Sequence, residues 1–117
     1  MFQASFIFRP GTIDEEFHER NAEIGRRAAA VDGFLGEEAW QSPDGRLRQA
    51  VYFFATYEGL TTFVSDPAHR DAKARQARWY EGYHVIISRI TDTYGDGRLP
   101  HATGDARRSR SANRARG

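Results

Sequence analysis

The two most strongly β-forming stretches of this 117-residue chain are apolar on both faces. In Val51-Tyr52-Phe53-Phe54 and in Val85-Ile86-Ile87, large apolar side chains occupy both parities of the strand. Side chains alternate from face to face along a strand, so an antiparallel sheet with one wet face alternates apolar and polar residues. These stretches do not alternate. Both faces of the sheet that contains them therefore require cover, and any fold proposed for the chain must supply it twice.

The rest of the chain shows where one cover comes from. Phe2, Ala4, Phe6 and Phe8 recur at period two and predict a first strand over 2–8. Thr12-Ile13-Asp14-Glu15 reads as a capping box, with Thr12 as the cap and Glu15 reaching back, and it opens a helix. At 100° per residue Ile13, Phe17, Ile24, Ala28 and Val31 share one face, and Asp32-Gly33 stops the helix. Residues 34–41 predict a second strand, Ser42-Pro43-Asp44-Gly45 a type I turn, and residues 47–56 a third strand. A short helix follows over 58–65. Asp66-Pro67 then restarts a helical unit that ends near Tyr80, and a fourth strand runs from Gly82.

The order βαββαβ is that of an α+β, ferredoxin-like fold with a four-stranded antiparallel sheet. Two helices on single crossovers fall on one side of such a sheet and cover only that side. The remaining chain is polar, so the second face is expected to pack on the same face of a second copy, as a two-fold homodimer, sheet against sheet. An apolar face of that size exceeds what monomers usually leave in water.

Charge divides the chain. Residues 1–97 hold 11 Lys and Arg against 15 Asp and Glu, whereas residues 98–117 hold six Arg and one Asp. The first part is read as one domain. The second, rich in Arg, Ser, Ala and Gly, lacks the apolar residues to offset its ordering entropy and is expected to be a disordered tail. It also lacks interleaved aromatics, so no nucleic-acid partner is expected. With no cysteine, disulfides, thiolate metal sites and cysteine nucleophiles are excluded. The apolar start is about eight residues long and meets Arg9-Pro10-Gly11, so neither a signal peptide nor a membrane span is expected, and the protein is expected in the cytoplasm.

Three strings carry a resemblance: Gly33-Phe34-Leu35-Gly36, Ser65-Asp66-Pro67-Ala68-His69-Arg70-Asp71-Ala72-Lys73, and Trp79-Tyr80-Glu81-Gly82-Tyr83-His84-Val85. Over about residues 2–95 the chain resembles the antibiotic biosynthesis monooxygenase family of dimeric α+β barrels. The resemblance implies a pocket between sheet and helices for a small, flat, oxidisable aromatic or polyketide-like molecule. It further implies oxidation by molecular oxygen with no metal or other cofactor, because a deprotonated, electron-rich substrate can itself pass an electron to oxygen. The anthrone oxidases of the family use an asparagine and a tryptophan on the third strand and a tyrosine on the next helix; Phe53, Tyr57 and Phe63 stand there in this chain. The haem-degrading branch uses Asn, Trp and His, and Ala4, Phe63 and Lys73 match none of them. Haem binding or degradation through His69 or His84 is the alternative reading, and a non-catalytic dimeric binding module is a third.

Within that frame Tyr57, His69, Tyr80 and His84 are the candidates for proton handling, and Trp40, Tyr52, Phe63 and Trp79 for the aromatic slot. His69, Lys73, Gln76 and Tyr80 recur at i, i+4, i+7 and i+11, which gives one polar helical stripe, either lining a pocket or solvating a boundary. His84, on an apolar strand, reads either as a buried base or as a histidine bonded across the dimer seam. His18 reads as an exposed helix residue. Adjacent carboxylates at Glu37-Glu38 and Asp14-Glu15-Glu16 lack a histidine at metal spacing, so no metal site is expected.

Overall fold

The computed structural model describes residues 1–66 and 76–105. Strand β1 (Phe2–Pro10) leads into helix α1 (Glu15–Ala29), strands β2 (Phe34–Gln41) and β3 (Arg48–Phe54), helix α2 (Tyr57–Val64), a short helix α3 (Gln76–Trp79) and strand β4 (Tyr80–Arg89). The sheet order is β2-β3-β1-β4, all antiparallel. This is the expected α+β, ferredoxin-like architecture, with β1 and β3 central and β2 and β4 at the edges.

Register sorts the side chains onto two faces. Phe2, Ala4, Phe6 and Phe8 of β1 stand opposite Phe54, Tyr52, Ala50 and Arg48 of β3, and opposite Arg89, Ile87, Val85 and Tyr83 of β4. This is the helix face. Ala4, Tyr52 and Phe54 pack there on Ala28 of α1 and on Leu60 and Phe63 of α2. A second apolar group joins Phe8, Phe17 and Trp79, with Tyr80 against it. The other face carries Ser5, Ile7, Val51, Phe53, His84 and Ile86.

Local chemistry sets the element ends. The cap of α1 is Asp14 and not Thr12: the Phe17 amide donates to Asp14 Oδ1 at 2.8 Å, and the indole Nε1 of Trp79 donates to the same oxygen at 3.2 Å. A carboxylate that serves both a helix end and a buried indole outcompetes a hydroxyl two residues earlier. Thr56 caps α2 through the Gly59 amide at 3.0 Å. Gly45 closes the β2–β3 turn at φ +73°, a conformation that disfavours residues with a Cβ, and its amide donates to the Ser42 carbonyl at 2.9 Å.

The far face departs from expectation in one respect. The chain itself reaches that face: the His101 ring lies edge-on to Phe53 at 5.1 Å, and His101 Nε2 is 2.8 Å from Glu38 Oε2. Thr103 is buried beside it, bonded to Thr93 and to His101 Nδ1. A polar segment can cover an apolar ring when its own polar atoms pair with one another, which a reading by composition does not register.

Candidate functional site

Helix α1 lies across β1 and β3 and leaves a cleft at its N-terminal half. The cleft has a volume of about 630 Å³ and is bounded by Phe8, Phe17, His18, Asn21, Ala39, Trp40, Gln41, Arg48, Gln49 and Ala50. Such a volume lies within the roughly 300–1,000 Å³ of small-molecule pockets. Phe17 turns toward the strands while His18 and Asn21, exposed as His18 was expected to be, border the opening, and the pairing of Arg48 with both Phe8 and Gln41 sets the guanidinium into the floor.

Behind the inner wall stand two phenols. Tyr80 packs on Phe8 at 4.8 Å, Phe6 at 5.1 Å and Phe17 at 6.2 Å. Burial pushes its hydroxyl up to about 12. Tyr52 packs on Phe63 at 4.7 Å. Burial raises its pKa further still, helped by the charge of Glu37. Glu37 lies under α1, where a Cβ on Gly25 would meet its Oε1 at 3.3 Å. Both phenols thus stay protonated at neutral pH and remain hydrogen-bond donors.

Arg48 is the polar oddity of this region. Its Nε is closed off from solvent and has no hydrogen-bond partner. A buried donor left unpaired costs on the order of 1–3 kcal/mol.

The structure distributes the expected site residues unevenly. Tyr52, Phe63, Trp79 and Tyr80 lie together on the helix face, but Phe63 and Trp79 are only 2% and 1% exposed and are enclosed by the core. Tyr80 opens β4 instead of closing the preceding helix, because it pairs with Pro10. Tyr57 is exposed at the start of α2, against Phe2 at 5.5 Å. Trp40 borders the cleft and is otherwise exposed. His84 is exposed, not buried: it sits on an edge strand, on the face away from the helices, opposite Ile7. His69 and Lys73 lie outside the described residues, and nothing is described of the Gln76 side chain.

Sequence reasoning set aside His18 and passed over Arg48. The signal that would have found Arg48 is its place at the head of an apolar strand: a charge in register with Phe8 is a charge directed under the helix. Among the described residues no group of three His, Asp or Glu is arranged to hold a metal ion. No helix among them is long and apolar enough to cross a membrane.

No protein-family model and no curated protein matches the sequence. Solved structures do match. Rv0793 from Mycobacterium tuberculosis superposes with a TM-score of 0.68 at 14% identity, over 80% of this chain and 98% of that one. SnoaB, a cofactor-independent oxygenase from Streptomyces nogalater, gives 0.65 at 15% identity, over 79% and 94%. A Deinococcus radiodurans protein provisionally named an antibiotic biosynthesis monooxygenase gives 0.67 at 8% identity, over 81% and 97%. From Phe2 to the end of β4 the chain carries the fold of the antibiotic biosynthesis monooxygenases.

Proposed function

We propose that this protein is an oxygenase of the antibiotic biosynthesis monooxygenase type, acting without metal or flavin on a small aromatic or polyketide-like substrate held between α1 and the sheet. The observation that supports it most directly is a cleft on the helix face bordered by Trp40, Phe8 and Phe17, in a fold shared with a cofactor-independent oxygenase.

The chemistry asks little of the protein. A carbon acid flanked by electron-rich rings loses a proton, and the carbanion passes one electron to oxygen. The resulting radicals combine to a hydroperoxide, which loses water to leave a ketone. One oxygen atom enters the product and the other leaves as water. The protein contributes a slot that excludes bulk water, a proton acceptor and donors that favour the enolate oxygen over the neutral carbonyl. The amides of Asn21 and Gln41, which line the cleft, are the donors in this reading, and Tyr80 supports the wall behind Phe8 and Phe17. His18, at the cleft, is the proton acceptor that the described residues offer, with His69 as the sequence-based candidate.

The working unit in this reading is a homodimer. Ile86 on the far face of β4 is 45% exposed, beyond the part of that face covered by residues 101–103. A second copy placed sheet against sheet would bury it.

Oxygen uptake with 1,8-dihydroxyanthrone, on protein dialysed against chelator, tests the activity. Consumption well above the spontaneous rate is expected, with a fall of at least tenfold in the Asn21→Ala, Gln41→Ala double variant. A rate equal to the protein-free background would end the oxygenase reading.

A further inference from the structure

We infer that the cleft under α1 is a binding site for a flat aromatic anion, with the Arg48 guanidinium as its electrostatic anchor. The inference deepens the oxygenase reading, since it states the charge of the molecule that this cleft takes.

The cleft stands out against the charge of the molecule. Residues 1–97 are net acidic, and the outer surface of α1 gathers Glu15, Glu16, Glu19 and Glu23 around Arg20 and Arg26. Across the cleft the balance reverses. Arg48 and His18 are the ionisable residues of its lining, and no carboxylate is among them. Arg27 and Arg78, by contrast, are paired: Arg27 with Glu23 and Asp66, Arg78 with Asp14 and Glu16. The Arg48 side chain forms no ion pair or hydrogen bond with any described residue, and its Nε is withdrawn from water.

A cation partly stripped of solvent and left without a counterion attracts an anion more strongly than the same cation in water. The ligand need not reach Nε. It needs only to neutralise the guanidinium from the cleft side, and the planar fork of that group matches a carboxylate in two parallel hydrogen bonds.

The other lining residues complete the specification. Trp40, 61% exposed at the rim, offers a ring surface for a flat body beside the small exposed edges of Phe8 and Phe17, while Asn21 and Gln41 add amide donors. An aromatic carboxylate satisfies both halves of the cleft. An aliphatic acid leaves the Trp40 ring uncovered, and a neutral arene leaves the charge unmet.

The test uses the full chain and two probes of one shape, 2-naphthoate and uncharged 2-naphthamide, titrated by calorimetry. Naphthoate is expected to bind at least tenfold more tightly than naphthamide. Arg48→Gln should abolish that preference while leaving naphthamide binding in place, and Arg48→Lys should keep part of it. If Arg48→Gln does not fold, amide NMR of the unaltered protein still decides: naphthoate should shift Asn21, Ala39 and Gln41. Equal affinities for the two probes, an unchanged preference in folded Arg48→Gln, or shifts confined to other regions would each overturn the inference. Binding and oxygen uptake are separate readouts. Naphthoate binding without anthrone oxidation leaves the anion site standing and removes the oxygenase reading, and the converse result does the opposite.

Discussion

Strands β3 and β4 have the same kind of sequence and opposite surroundings. Val51, Tyr52, Phe53 and Phe54 of β3 are all 6% exposed or less, whereas Val85, Ile86 and Ile87 of β4 are 38–48% exposed. Both are apolar on both parities, so composition does not account for the difference. Position does. β3 lies between β2 and β1, under α1 and α2 on one face and against His101 on the other. β4 is an edge strand paired only with β1 among the described residues. Its first residue, Tyr80, is packed beneath α1, and burial falls away after it. An apolar pattern states a demand for cover, and the place of the strand in the sheet decides whether the same chain meets it.

Truncation breaks the comparison most directly. Phe54→Ala removes a fully buried ring that packs on Phe34 and Phe63, and should cost roughly 3–5 kcal/mol in a urea melt. Ile87→Ala, in register with Ala4 one strand over, should cost under about 1 kcal/mol. Similar costs at both sites would show that β4 is covered as well as β3 is.

A charge on the far face of β4 sharpens it next. If a second copy meets the demand that β4 leaves open, sedimentation at micromolar concentration should report twice the 13.3 kDa of the chain. Ile86→Asp should then weaken the dimer at least tenfold, about 1.4 kcal/mol. A chain that sediments at its single mass before any substitution would refute the homodimer.

The smallest effect is confined to alkaline pH and marks where cover on β4 begins. Tyr80 ionises at about 12 instead of 10.0, and Tyr52 is raised as well, both chiefly by burial. A phenol with a raised folded pKa holds its proton more tightly when folded. Its stabilising contribution is whole below pH 10 and is lost as the pH climbs toward 12. Absorbance at 295 nm should show two of the five tyrosines ionising late, as circular dichroism falls, and all five ionising together near pH 10 in urea. Simultaneous ionisation near pH 10 with the dichroism intact would show the start of β4 to be as open as its middle.

Much of the architecture was legible because it rests on short-range chemistry. Period two in Phe2 to Phe8 and the 42–45 turn act within a few residues, and the element order followed from such signals, although α1 ends at Ala29, ahead of the stop expected at Asp32-Gly33. The site was less legible. His84, read as a buried base or as a seam histidine, is exposed within its own chain, on the far face of an edge strand. Arg48 drew no reading from the sequence, yet its register with Phe8 placed it under α1. His101 belonged to a stretch read as tail, yet its pairing with Glu38 holds it on the sheet.

The sequence by itself determined which segments are strands and helices, how they are ordered, and that the sheet has two apolar faces. Those properties follow from side-chain periodicity and from turn and cap chemistry, which are local. Only the tertiary structure decided which apolar strand is enclosed, that Arg48 is set beneath α1 with no counterion among the described residues, and which phenols keep their protons into alkaline solution. Each of these depends on what lies across the sheet or beneath a helix, at separations along the chain that no local pattern records.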